Sequence, residues 1–274
     1  MWRRFLTALR LPLLAVLLAA ALAGCSGKEK PTYVEEPPEQ LYNKALSELL
    51  AGDYEKSAKS FDEVERQHPY SVWASRAQLM SAYAFYQGDK YDDAINALDR
   101  FIQLNPGSRD IAYAYYLKAI CYYEQISDVG RDQKNTIDAL DSLKEVVRRF
   151  PESRYARDAQ LKIDLARDHL AGKDMEIGRY YESHGEYLAA INRFQTVIKD
   201  YQTTTHVPEA LHRLVECYLA LGVYKEAEAT AAVLGYNFPG SEWYQDSYAL
   251  LTGKDLRPAD HEGSWISQVW HTVF

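Results

Sequence analysis

Residues 52–69 read GDYEKSAKSFDEVERQHP, and residues 88–106 read GDKYDDAINALDRFIQLNP. With Tyr54 and Tyr91 set at zero the two segments agree by position. Ser57 and Ala94 fall at +3, Phe61 and Leu98 at +7, Val64 and Phe101 at +10, Pro69 and Pro106 at +15. Three more copies follow. Tyr187 leads to Ala190, Phe194 and Val197, with Gln202 where proline is expected; Tyr224 leads to Ala227, Ala231, Leu234 and Pro239. The degenerate copy starts at Thr136 and continues through Ala139, Leu143, Val146 and Pro151. Offsets 0, 3, 7 and 10 share one face of an α-helix, and a proline at +15 stops it.

Gly52, Gly88, Gly185 and Gly222 stand just before the aromatic residue in four copies, where a tight turn joins two helices. Seven residues before each glycine come Ala45, Ser81, Gly178 and Val215, mostly small, which place a preceding helix close against the first. The spacing from Tyr54 to Tyr91 is 37 residues, near the 34 of the tetratricopeptide (TPR) unit. The fold expected is all-α, a TPR solenoid of five helix-turn-helix repeats.

Two intervals are irregular. Tyr91 to Thr136 is 45 residues, which inserts a polar loop, Ser127 to Asn135, around Gly130. Thr136 to Tyr187 is 51, and the excess, Tyr155 to His184, is rich in helix formers with Gly172 near its middle. This predicts a long helix between repeats 3 and 4, with Gly172 as the place for a kink. Repeats 1–3 then occupy residues 39–154, and the long helix with repeats 4–5 occupies 155–252.

Ahead of the repeats, Arg3, Arg4 and Arg10 precede an apolar run over residues 11–23 that is too short for a comfortable membrane span. It ends Leu22-Ala23-Gly24-Cys25, which resembles a bacterial lipobox. Residues 1–24 are then a signal peptide, cleaved before Cys25, whose thiol receives the lipid. Cleavage removes the three arginines and moves the formal charge from −8 to −11. Residues 25–38 read as a lipidated, proline-rich tether of roughly 40 Å reach. In enteric lipoproteins an Asp after the lipidated Cys retains the protein in the inner membrane; Ser26 stands here, which favours the outer membrane, facing the periplasm.

An excess of acids, 39 against 31 bases, argues against nucleic acid as a partner. Catalytic constellations are missing from the sequence. Glu209-x-x-His212 occurs once, whereas a bundle di-metal site needs two copies. The Gly172-Lys173 and Gly253-Lys254 steps lack the earlier glycine of a P-loop. Cys121 and Cys217 lie two repeats apart, too far for a disulfide, and read as buried thiols. No enzyme, metal or cofactor is expected beyond the covalent lipid on Cys25, and the acidic side chains read as solvated helix faces. Function then falls to surfaces. There are 22 Tyr against 8 Phe, and the first helices of repeats 2 and 3 are dense in tyrosine. Tyr83, Tyr86 and Tyr116 are the candidates for lining a groove.

Lipobox, tether and five TPR units together resemble the BamD family of the outer-membrane β-barrel assembly (BAM) complex. The likeness is carried by His68-Pro69-Tyr70-Ser71, Tyr83-Ala84-Phe85-Tyr86, Asp99 to Pro106, and the insert with Arg131-Asp132. It is carried further by Asp168-His169-Leu170-Ala171, Tyr180-Tyr181, Gly185 and Asn192-Arg193. It covers roughly residues 37–245. The resemblance implies an outer-membrane lipoprotein scaffold that binds a POTRA domain of BamA, joins accessory BAM lipoproteins and receives unfolded β-barrel proteins for folding and insertion. It implies that Arg193, with Asn192, meets an acidic residue of BamA, and that repeats 1–3 take the aromatic-ended terminal strand of substrates. The alternative is another periplasmic TPR lipoprotein, a secretin pilot or a cell-division coordinator.

The segment 253–274 falls outside that likeness. A polar linker precedes Trp265, Ile266, Val269, Trp270, Val273 and Phe274, whose spacing makes one apolar helical stripe, with Gly263 or Ser264 placed to cap it. So short a helix must dock, either on the last repeat or on a partner or membrane. At the other end, Cys25→Ala is expected to leave a folded solenoid that high-salt washing releases from membranes. Retention after the wash would mean direct insertion in place of lipid anchoring.

Overall fold

The computed structural model describes residues 35–261 and 263–273. The signal segment, Cys25, most of the tether and Phe274 lie outside the described residues. The compact unit that begins at Pro38 is built of helices: α1 (Pro38–Leu50), α2 (Tyr54–Gln67), α3 (Val72–Gln87), α4 (Tyr91–Leu104), α5 (Ile111–Tyr123), α6 (Lys134–Arg149), α7 (Arg154–Ser183), α8 (Tyr187–Asp200), α9 (Val207–Leu221), α10 (Tyr224–Asn237), α11 (Glu242–Thr252) and α12 (Trp265–Val273). Each helix from α1 to α11 packs on its successor or on the previous pair, and α1, α3, α5, α7, α9 and α11 also adjoin one another in order. These first helices of the pairs therefore form one continuous face.

The +3, +7 and +10 positions of all five second helices are buried, from Ser57, Phe61 and Val64 to Ala227, Ala231 and Leu234. So are Ala45, Ser81, Gly178 and Val215 on the first helices. The two sets meet. Ser57 Oγ donates to the carbonyl of Ala45 at 2.8 Å, and a Cβ on Gly178 would lie 2.4 Å from Cε1 of Phe194. Only glycine lets that ring into the space.

Helix ends follow a register of their own. At +14, His68, Asn105, Phe150, Tyr201 and Phe238 take φ between −126° and −133°, and each N–H still donates to the +10 carbonyl. Proline follows in four copies and Gln202 in the other, yet α8 ends at the same offset. Proline is thus not what stops these helices. At +17 every copy carries a hydroxyl residue, Ser71, Ser108, Ser153, Thr204 and Ser241, whose N–H bonds the +14 carbonyl and closes the turn. Ser153 and Ser241 also accept side-chain cap bonds, from the N–H groups of Ala156 and Trp243.

α7 is one helix of 30 residues, unbroken at Gly172. Its first half contributes Ala159, Ile163, Ala166 and Leu170 to a core shared with α5 and α6. From Ala171 and Met175 onward it belongs to the core of α8 to α12. Gly172 serves a close approach instead of a kink. A Cβ there would be 3.3 Å from Nε2 of His206 and 3.5 Å from Cγ1 of Val129, so the inserted loop of repeat 3 and the α8–α9 turn both rest on it.

At the C-terminal end α11 starts a sixth unit and α12 lies on α10. Ile266 and Trp270 are buried in the same core as Leu234 and Leu251, Trp265 packs against it, and Val269 is partly buried. Lys199 Nζ sits 5.0 Å above the Trp265 ring. Ser264, one of the two residues placed to cap α12, sends its hydroxyl to Glu226 Oε2 at 2.7 Å, and His261 Nε2 lies 2.8 Å from Glu228 Oε2. Both bonds tie the linker to α10.

Gly178→Ala should destabilise the protein by about 1–3 kcal/mol through overpacking against Phe194, measured by urea unfolding. Deleting residues 263–274 should lower the melting temperature, because burial of Ile266 and Trp270 is worth about 2 kcal/mol each. An unchanged melting temperature would mean that α12 contributes nothing to the solenoid.

Candidate binding surfaces

Four first helices line a cleft of about 610 Å3: Tyr42 of α1, Arg76, Met80 and Tyr83 of α3, Tyr113 of α5 with Asp110 just before it, and Arg154 and Tyr155 of α7. The rings support one another. Tyr113 and Tyr116 lie 5.5 Å and 5.0 Å from Tyr155, and Tyr42 lies 5.0 Å from Trp73. Burial pushes the phenols of Tyr42, Tyr113 and Tyr116 upward, so all remain neutral donors at physiological pH. Of the three tyrosines singled out from the sequence, Tyr83 lines the cleft. Tyr116 stands behind Tyr155 and donates to Asp158 Oδ2 at 2.5 Å. Tyr86 packs between Tyr83 and Tyr91. Tyr113 and Tyr155 take the places expected of those two, because the side chain's direction around the helix, not its number in the tyrosine run, decides what faces the cleft.

A second surface lies on α7 and α9. Glu209, Arg213 and Glu216 share one face of α9, and α7 sends Arg179 and Glu182 against them around a pocket of about 470 Å3. Arg213 Nη1 is 2.9 Å from Glu216 and 3.6 Å from Glu182, its Nε is 3.5 Å from Glu209, and Arg179 Nη1 is 3.0 Å from Glu209. His212 bridges to Ser247 Oγ at 2.9 Å and to Glu216 at 3.4 Å. Glu182 is only 14% exposed. Burial first, then the Glu216 charge, raises its carboxyl to about 7. The acids of α7 and α9 read from the sequence as solvated faces; Glu182, Asp174 and Glu209 depart from that, with side chains 14%, 15% and 16% accessible.

Arg193 and Asn192 are exposed on α8. The Arg193 side chain, 46% accessible, places Nη1 3.1 Å from Oδ1 of Asp174 on α7, which is 15% accessible. Burial raises the Asp174 carboxyl and Arg193 opposes that rise. Asn192 offers its carbonyl to Thr196 Oγ1 within α8. Arg193 thus has a partner inside the chain and still faces solvent.

Cys121 and Cys217 are free and buried. Burial pushes the Cys121 thiol up to about 12 and raises that of Cys217 as well, so neither supplies a thiolate. Among the described residues no group of His, Cys, Asp and Glu is arranged to hold a metal ion. No described helix is long and apolar enough to cross a membrane.

The Glu182 carboxyl is raised above its unfolded value. Its contribution is therefore most favourable below the unfolded value near 4.5 and is lost as pH rises through about 7. His212 is lowered by burial and works the other way, losing stability as pH falls below its ordinary value. Glu182→Gln removes the first term. Its stability relative to wild type should increase between pH 5 and pH 8 and level off above, as read by denaturant titration at each pH. A constant difference would mean that Glu182 titrates as an ordinary carboxyl.

The model of the YfiO outer membrane lipoprotein family matches residues 34–234, a span that includes the cleft, the α7–α9 pocket and Arg193. The outer membrane protein assembly factor BamD of Caulobacter vibrioides is 55% identical over 248 residues, 89% of this chain and 81% of that one. BamD of Rickettsia prowazekii is 46% identical over 236 residues, 86% of this chain and 94% of its own. BamD of Neisseria meningitidis serogroup A is 35% identical over 244 residues, 84% and 91%. Among solved structures, a thermophilic TPR protein of Thermus thermophilus aligns over 78% of this chain and 98% of its own, at 19% identity and a TM-score of 0.36. With the family model matching most of the chain and BamD relatives at 35–55% identity covered to four fifths or more, the chain belongs to the YfiO outer membrane lipoprotein family, the family of the assembly factor BamD.

Proposed function

We propose that this protein is a lipid-anchored scaffold at the periplasmic face of the outer membrane. It receives unfolded β-barrel proteins on the first-helix face of repeats 1–3 and joins BamA, through a POTRA domain, with repeats 4–5. The observation that carries the reading is the tyrosine-lined cleft built from four successive first helices. An extended peptide laid across it meets neutral phenols that offer both apolar surface and hydrogen bonds. Kinship with assembly factors named BamD supports the process and the compartment. Kinship with assembly factors is in keeping with the role of a scaffold.

On the BamA side Arg193 is the carried-over contact, and its pairing with Asp174 dictates how it must be tested. Arg193→Glu would set two carboxylates together and confuse folding with binding. Arg193→Gln keeps an amide donor for Asp174 and removes the charge offered to a partner. It should leave helicity and melting temperature near wild type while weakening co-purification with BamA by about 2–5 kcal/mol. Undiminished co-purification at raised salt would remove Arg193 from the interface. Affinity purification from solubilised membranes tests the whole reading: a POTRA-containing barrel is expected, and a secretin in its place would overturn it.

A further inference from the structure

We propose that the edge of the solenoid where one helix pair joins the next, in repeats 1–3, docks on an anionic phospholipid surface beside the lipid anchor. This rests on the reading of the chain as lipid-anchored and adds how the anchored solenoid is turned.

Helix direction defines two edges. Tyr42 and Trp73 meet at 5.0 Å near the starts of α1 and α3, and Tyr113 and Tyr155 meet at 5.5 Å near the starts of α5 and α7. These first helices therefore begin along one edge, which also holds the α2–α3, α4–α5 and α6–α7 turns. The α1–α2, α3–α4 and α5–α6 turns lie along the other. Pro38 is the first residue of α1, so the tether joins the solenoid at the first edge.

Charge separates the two. Counting four helical residues on either side of each turn, the tether edge comprises residues 64–75, 101–114 and 146–157, with six arginines against three acids. The opposite edge comprises residues 47–57, 84–94 and 120–137, with nine acids against four bases. Arg66, Arg109, Arg148, Arg149, Arg154 and Arg157 are all exposed. Four of them fall within residues 148–157, where Glu152 is the one acid, around a hollow of about 650 Å3 lined by Pro151, Ser153, Arg154 and Arg157. Arg148 and Arg149 share a single carboxylate, Glu145, and Arg148 stays 73% accessible. Apolar side chains are exposed at both edges, Leu50 at the acidic one and Tyr70, Val72 and Leu104 at the basic one. Only the basic edge joins them to a surplus of cations, and an exposed phenol such as Tyr70 suits the boundary between headgroups and acyl chains.

An acyl anchor on a tether of roughly 40 Å keeps the solenoid near the leaflet without turning it. The charge difference does the turning. Each arginine close to anionic headgroups favours contact by about fivefold, while the acidic edge is repelled.

The test uses the whole mature chain, residues 25–274, with Cys25→Ser so that no acyl group holds it, and follows its sedimentation with vesicles. Vesicles of phosphatidylethanolamine with phosphatidylglycerol should bind it at low salt. Vesicles of phosphatidylcholine should bind it about tenfold or more weakly, and raised salt should release it from the anionic ones. Arg109→Gln with Arg157→Gln removes two exposed charges from the basic edge and should weaken binding by about tenfold or more. Lys90→Gln with Arg131→Gln removes the same charge from the acidic edge and should bind as wild type does. An equal loss from both pairs overturns the edge assignment in favour of overall charge. Equal binding to both kinds of vesicle overturns the proposal, as does binding to neither. Displacement by inorganic phosphate beyond the effect of its ionic strength also overturns it, in favour of a phosphate site. Cys25 found unmodified by mass spectrometry in protein from cells would overturn the lipid anchor, a failure that the vesicle measurement keeps separate.

Discussion

In the pairs α1–α2 and α7–α8 a residue with little or no side chain on the first helix meets the buried face of the second, and the rest of the molecule depends on that closeness. Gly178 against Phe194 is the extreme case, since one added carbon would overlap the ring. Ala45 against Ser57 is the milder one, sealed by a hydrogen bond to a backbone carbonyl. A solenoid has no single centre to bury, so its stability is a sum over neighbours and its geometry is set pair by pair. Because the same offsets close all five pairs, the first helices come to lie side by side. Without that alignment Tyr42, Tyr83, Tyr113 and Tyr155, drawn from four different helices, would share no cleft.

The long helix α7 turns this regular stack into two working parts. It finishes one core with Leu170 and starts the next with Ala171. Arg154 in the cleft and Glu182 in the charged pocket stand 28 residues apart on the same rod, about 40 Å along its axis. What keeps the two halves in register is the packing at Gly172, with Val129 from the inserted loop and His206 from the following turn. Asp168 adds bonds to the N–H and hydroxyl of Thr205 at 3.0 Å and 2.9 Å. A rigid helix braced at its midpoint holds the tyrosine-lined cleft and the charged pocket beside α9 at a fixed separation.

The two surfaces also differ in electrostatic character. Around α9 the arginines are already matched by glutamates, and the excess is a carboxyl, Glu182, that keeps its proton up to about pH 7. In the cleft the balance is reversed, with two guanidinium groups resting on rings in a protein that is acidic as a whole. The first surface is largely satisfied within the chain.

The sequence by itself determined the fold. A period of 37 residues and small residues at repeated offsets are properties of one helix face, and a helix face is local enough to be counted along a chain. The lengthened α7 and the family kinship were legible for the same reason. The tertiary structure alone decided which tyrosines line the cleft, because Tyr113 and Tyr116 differ only by their direction around α5 and by what α7 sets beside them. It alone gave Arg193 a partner on another helix and made Gly172 a seat for two loops instead of a kink. It also exposed the pairing of Glu182 with α9. Such facts concern distances between residues far apart in the chain, and a helical period says which face a residue occupies without saying what stands opposite.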